Sequence, residues 1–151
     1  PHVLAASFSE KSGGNRMSAN TTAKLVKDYF DAFNASDFGA MEALLHEDVI
    51  HDINQGGREI GRDAFRNFNA SMARHYRETL RDIEIMVSPN GNRAAAEFTV
   101  DGTYLETAPN LPEARGQKYA ISAGIFFDVD DEKISRVTTY YNVEAWKAQV
   151  A

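Results

Sequence analysis

From residue 25 onward, Leu25, Val26, Tyr29, Phe30 and Phe33 recur at helical spacing and form one apolar stripe, with Thr21 and Thr22 as N-cap residues. Asn34-Ala35-Ser36-Asp37 breaks the stripe, and Asp37 is placed to cap a short second helix carrying Phe38, Met41, Leu44 and Leu45. So short a turn predicts a hairpin-like helical pair. Residues 49–54 read as a short strand, Gln55-Gly56-Gly57 as a turn, and a third helix starts near Gly61. On that helix Phe65, Phe68, Met72 and Tyr76 share one face. After Tyr76 the period changes to two. Residues 80–87 place Ile83, Ile85 and Val87 on one side, and Pro89-Asn90-Gly91-Asn92 signals a hairpin. Residues 93–105 follow as a long strand, then residues 106–116, with Pro109 and Pro112, make a long loop that is a candidate lid. Residues 117–129 and 133–142 form another hairpin, and residues 143–150 close the chain as a helix containing Trp146.

Helices first and strands afterwards predict an α+β domain, with a curved antiparallel sheet wrapped on the helices. Such a sheet curls into a cone and leaves a pocket between helix and sheet. The 151 residues fit one domain, expected over residues 21–151, and the first twenty residues, Ser- and Gly-containing and aperiodic, read as a flexible leader. Residues 2–8 are too short for a signal segment, and no apolar run approaches the ~20 residues that span a bilayer, so a membrane partner is not expected and the cytoplasm is the default location.

Charge and composition narrow the chemistry. A formal net charge of −6 disfavours a nucleic-acid partner, because phosphate binding needs a basic face. The absence of Cys removes disulfide, thiolate-metal and Cys-nucleophile chemistry. The four His lack ligand spacing, so no metal is expected; no Gly-rich phosphate cradle and no nucleophile elbow occur, and no cofactor is expected.

The segment Leu25-Val26-Lys27-Asp28-Tyr29-Phe30-Asp31-Ala32-Phe33-Asn34-Ala35-Ser36-Asp37-Phe38 resembles the opening helix and break of the nuclear-transport-factor-2-like superfamily, especially its SnoaL-like and ketosteroid-isomerase-like branches. Asp48-Val49-Ile50-His51-Asp52-Ile53 and the Gly-led Gly61-Arg62-Asp63-Ala64-Phe65 continue the resemblance, which covers about residues 22–148. It implies the cystatin-like α+β cone with an internal pocket, commonly a homodimer packed through the sheet. It further implies Asp52 as general base and Tyr29 as oxyanion stabiliser; the later-strand acid of the isomerases would fall near Gly124, where this chain has no carboxyl.

The residues themselves support a site near the same strand. Asp52 in a short apolar strand is costly as an anion unless paired or facing a wet cavity, and desolvation would raise its pKa to that of a useful base. His51 points to the opposite face under strict alternation, and serves as a second acid/base only if a bulge turns it inward. Asn54 and Gln55 are candidates to orient a substrate carbonyl. Tyr76, Tyr104, Tyr119 and Tyr140 are candidate aromatic walls of a substrate pocket. Two functions follow: a cofactor-independent isomerase, cyclase or dehydratase acting on a hydrophobic small molecule, or a non-catalytic ligand-binding or dimerisation module of the same fold.

Overall fold

The computed structural model describes residues 18–151. The leader expected over residues 1–20 therefore lies outside the described residues except for its last three. Of these, Ser18 is the N-cap of helix α1 (Ala19–Asn34), accepting from the Thr21 N–H through its hydroxyl, so the helix starts earlier than Thr21 and Thr22 suggested. Thr22 is buried inside the helix, where its hydroxyl donates to the Gly91 carbonyl at 2.6 Å. That contact ties the first turn to a hairpin some seventy residues away in sequence. Asp37 caps the short helix α2 (Phe38–Ala43) as its spacing predicts, its carboxylate accepting from the Ala40 N–H.

The remaining elements are β1 (Leu45–Asp52), β2 (Arg58–Ile60), α3 (Arg62–His75), β3 (Tyr76–Val87), β4 (Arg93–Tyr104), β5 (Lys118–Asp130), β6 (Lys133–Tyr141) and α4 (Val143–Val150). The strands form one six-stranded sheet in the order β2-β1-β6-β5-β4-β3. The sheet is mixed, which corrects the antiparallel expectation: β1 and β6 run parallel, while every other neighbouring pair is antiparallel. The reason is topological. Helix α3 carries the chain from the β1–β2 hairpin to the far edge, and the meander β3 to β6 returns to meet β1 from the other side.

Strand β3 begins four residues earlier than the period suggested and contains a bulge between Arg81 and Glu84, with Asp82 at φ 53°. An extra residue inverts the alternation. Tyr76, Glu78 and Leu80 face the helices before the bulge, and Ile83, Ile85 and Val87 face them after it, as their burial shows. Asn34 braces this point: its amide donates to the Leu80 carbonyl at 2.9 Å and its oxygen accepts from the Leu80 N–H at 2.8 Å. These bonds occupy backbone groups that an edge strand would otherwise leave open.

The core lies where α1 crosses the concave face. Val26, Tyr29 and Phe30 are buried there, with the Phe30 ring edge-on to Phe98 and Phe127 at centroid distances of 5.4 and 5.9 Å. The loop over residues 105–117 is anchored rather than free. Tyr104 is fully buried, and its hydroxyl donates to the Pro112 carbonyl and accepts from the Ala108 N–H. Pro109 and Leu111 of this loop form part of a cavity wall. The candidate lid is thus a tethered wall, and Tyr104, expected to face substrate, is its anchor. Among the described residues no helix is long and apolar enough to cross a membrane.

Candidate functional site

Helices α1, α3 and α4 and the concave sheet face enclose a cavity of about 430 Å³. Strand alternation decides which candidates reach it. His51 and Asp52 are consecutive on β1 and take opposite faces. His51 lines the cavity at 4% exposure, its ring 4.8 Å from Phe65 and 4.6 Å from Phe68 by centroids. The register of β1 against β6 shifts between Leu45 and Ile50, just before this inward-facing residue. Burial pushes its pKa down to about 4, so the imidazole is neutral near pH 7. Its Nδ1 is buried without a hydrogen-bond partner among the described residues.

Asp52 lies on the outer face, which overturns its expected place in the pocket. It sits opposite Arg58 on β2 and Thr138 on β6, a row set by strand register. Its Oδ1 accepts from Arg58 Nε at 2.7 Å, and its Oδ2 accepts from Arg58 Nη2 at 3.2 Å and from the Thr138 hydroxyl at 2.7 Å. The Arg58 hydrogen bond, with help from Thr138, holds the carboxyl below its ordinary range, opposite to the raised value a desolvated base needs. Asp52 is half of an ion pair. Asp52→Asn should therefore lower the melting temperature slightly at pH 7, by the equivalent of at most about 1 kcal/mol because Arg58 is over half exposed. With a depressed folded pKa, the contribution is present above the unfolded value of ~3.9 and lost as pH falls through the folded one. Melts of both proteins should converge in acid; a deficit that persists there would contradict the ion-pair account.

The other candidates divide. Tyr29 lines the cavity from α1 at 5% exposure, its ring edge-on to Phe127, and burial pushes its phenol up so that it stays protonated. Asn54 borders the cavity, but its side-chain amide is committed: it donates to the Tyr141 carbonyl at 2.9 Å and accepts from the Tyr141 N–H at 3.3 Å. It clamps the end of β1 to β6. Gln55, at φ 54°, is an exposed rim residue of the cavity. Tyr76 and Tyr119 line the cavity; Tyr104 packs behind Tyr76 with the rings stacked 5.5 Å apart at 14°. Tyr140 does not reach the cavity. It stands 58% exposed on the outer face against Phe126, because its strand parity is that of Asp52's partner Thr138.

The cavity also holds a carboxyl that the sequence reading did not single out. Glu78 on β3 faces inward between Tyr76 and Leu80, and the Tyr119 hydroxyl donates to its Oε2 at 2.7 Å. The two side chains start two strands apart. Glu78 is registered against Gly102 on β4, and Gly102 against Tyr119 on β5, so the Tyr119 ring lies flat across Gly102 to reach the carboxyl. A Cβ at residue 102 would overlap Tyr119 Cζ, Cε2 and Oη. Glycine is required at this crossing for close approach. Desolvation pushes the Glu78 carboxyl up, against the Tyr119 hydrogen bond. Tyr141 of β6 and Trp146 of α4 complete the walls at this end. Among the described residues no cluster of three or more His, Asp or Glu is placed to hold a metal ion.

A family model described as the SnoaL-like domain matches residues 26–137, most of the chain. The chain belongs to the SnoaL-like family. Its fold is the nuclear-transport-factor-2-like one, with helices packed on a curved, unclosed six-stranded sheet. This SnoaL-like chain is 53% identical to a provisionally named polyketide cyclase from Pseudomonas putida KT2440, covering 86% of this chain and 98% of that one at a TM-score of 0.85. A provisionally named polyketide cyclase from Xanthomonas campestris pv. campestris is 50% identical over 88% of this chain and 98% of its own, with a TM-score of 0.86. A Mycobacterium tuberculosis epoxide hydrolase of the LEH-like type shares the fold alone, at 16% identity, 87% and 90% coverage and a TM-score of 0.65. No protein of curated function matches the chain.

Proposed function

We propose that this SnoaL-like protein is a cofactor-independent enzyme that moves a proton on a hydrophobic carbonyl compound, as an isomerase, cyclase or dehydratase does, with Glu78 as the acid/base group. One observation carries the reading: a carboxyl with a raised pKa, held by a tyrosine hydroxyl, inside a cavity otherwise walled by aromatic and aliphatic side chains. Glu78 Oε2 is occupied by Tyr119, which leaves Oε1 to take a proton from the carbon next to a substrate carbonyl. The C–H bond breaks and the carbonyl π pair moves to oxygen as an enolate; where a C=C bond is conjugated with it, the proton returns from Glu78 at the far carbon as that pair moves back, which completes an isomerisation. In a cyclisation the enolate carbon instead bonds to a second carbonyl carbon, whose π pair moves to its oxygen, and that oxygen takes the proton back from Glu78. Tyr29 and Tyr76 line the same space with phenols that burial keeps protonated, so they serve as donors to the enolate oxygen. The provisional name of the relatives is in keeping with this class of chemistry.

The test is proton exchange in deuterated water. A bicyclic ketone such as 2-tetralone, followed by proton NMR, should lose its α-proton signals faster with the protein than with buffer alone. The Asp52→Asn variant should exchange as fast as the parent. A rate equal to that in buffer removes the catalytic reading and leaves the ligand-binding module.

One feature favours assembly as a part of either function. Met86, Phe126 and Tyr140 are 52%, 43% and 58% exposed on the outer sheet face, whose remaining rows carry Glu97, Thr99 and Asp101. We infer a homodimer packed through this face. Sedimentation should give a dimer at micromolar concentration and a monomer for Phe126→Lys; a monomeric parent protein would exclude it.

A further inference from the structure

We propose that the Glu78 end of the cavity is a receptor for an organic cation, an ammonium head group carried on an otherwise apolar ligand. The inference rests on reading the cavity as a ligand site and names the class of ligand it takes.

Three aromatic rings, those of Tyr76, Tyr119 and Trp146, line the cavity together with this carboxyl. Trp146 meets Tyr76 at 5.8 Å and 82° and Tyr119 at 5.9 Å and 79°, so both tyrosine rings stand nearly perpendicular to the indole and form an aromatic box with it. All three rings line the cavity, and the face of an aromatic ring attracts a cation through its quadrupole. Tyr104 stacks behind Tyr76 and touches Trp146 at 4.9 Å, so these walls are braced from outside. Tyr119 is fixed by its bond to Glu78. The box is therefore formed before any ligand enters, which lowers the cost of binding.

The second observation concerns charge. Glu78 has no ion-pair partner among the described residues, although acidic side chains inside proteins are nearly always paired or neutralised. Among the described residues neither neighbouring basic residue is bonded to Glu78. Arg77 is on the opposite face of β3. Lys147 borders the cavity from α4, but its Nζ is 3.3 Å from the Glu144 carboxylate. The Tyr119 hydroxyl is bonded to the Glu78 carboxyl, and the phenols of Tyr76 and Tyr141 line the same cavity. An aromatic box with an unpaired acid in its wall lacks one component, a positive charge. A bound ammonium supplies it, and in doing so favours the anionic carboxylate that proton abstraction requires. The protein's net charge of −6 acts in the same direction over longer range.

Trp146 is the chain's single tryptophan, so its emission reports this end of the cavity directly. The probes are benzyltrimethylammonium and neopentylbenzene, its uncharged carbon isostere of nearly equal shape. The cation should bind at least about tenfold more tightly than the isostere, and Glu78→Gln should bring the two affinities together. Tyr76→Leu, which removes one wall, should weaken the cation several-fold more than the isostere. Equal affinities in the parent protein, or tighter binding of the isostere, would overturn the cation proposal while leaving the cavity as a site for uncharged hydrophobic ligands. An emission unmoved by either probe up to millimolar concentration would overturn it too, and the exchange assay with an uncharged ketone would still decide the proton-transfer reading separately. The parent-protein ratio needs no variant to fold.

Discussion

Glu78→Gln should reduce protein-catalysed α-proton exchange by about 10²–10⁴-fold while raising the melting temperature at neutral pH. Glutamine keeps the side-chain length and an oxygen that can accept from Tyr119, so the loss reports the missing base rather than a rearranged cavity. The stability effect has a definite sign. Burial raises the folded pKa of Glu78 above its ordinary 4.5, so the fold favours the protonated carboxyl. The associated stability is fully present below 4.5 and is lost as pH rises through the folded value. Glutamine is neutral throughout and escapes that loss. Parent and variant should melt together in acid and separate as pH climbs, with the variant higher. A variant melting lower at pH 7 would show Glu78 to be a structural anion, and unchanged exchange would take it out of the chemistry.

Gly102→Ala should cost about 1–3 kcal/mol, measured by denaturant or thermal unfolding, and should impair exchange as well. The substitution adds one methyl, but its Cβ falls on the Tyr119 ring, which is 4% exposed and packed against Trp146. Either the ring leaves Glu78 or strands β4 and β5 move apart. In a Tyr119→Val background the alanine has room, and its cost should shrink to a few tenths of a kcal/mol, giving a strongly non-additive double-mutant cycle. Equal costs in the two backgrounds would place the effect in strand flexibility instead.

Much of the architecture was legible because it depends on period and punctuation. The stripe Val26–Tyr29–Phe30, the Asp37 cap, the Asn90-Gly91 hairpin and the long alternation of β4 and β5 each report a local rule. The site was legible only in part. Alternation correctly separates His51 from Asp52, but not which of them faces inward. That depends on where the sheet bends and on Arg58, whose short strand β2 has no apolar pattern of its own. Glu78 escaped for a related reason. Phe65, Phe68, Met72 and Tyr76 continue a helical period one residue past the end of α3, so Tyr76 reads as helix and residues 77–79 fall between the two periods. Reading alternation back through Tyr76, Glu78 and Leu80 would have exposed an acid between two inward apolar positions. The role of Gly102 requires register across three strands, which no single segment contains. Tyr104 and Tyr140 show the same limit, since composition marks an aromatic residue but not the side of the sheet it occupies.

The bulge at Asp82 gives β3 two independent phases. Its first half presents Tyr76 and Glu78 to the ligand end, and its second half presents Ile83, Ile85 and Val87 to the core under α1. A strand without the extra residue would have to expose one set whenever it buried the other. The single inserted residue thus separates the segment that carries the acid from the segment that packs the core, and a substitution at residue 78 leaves the inward phase of Ile83, Ile85 and Val87 unchanged. Among chains of this fold, the length of the strand between acid and core, counted as odd or even, should therefore track whether a carboxyl enters the cavity from this edge.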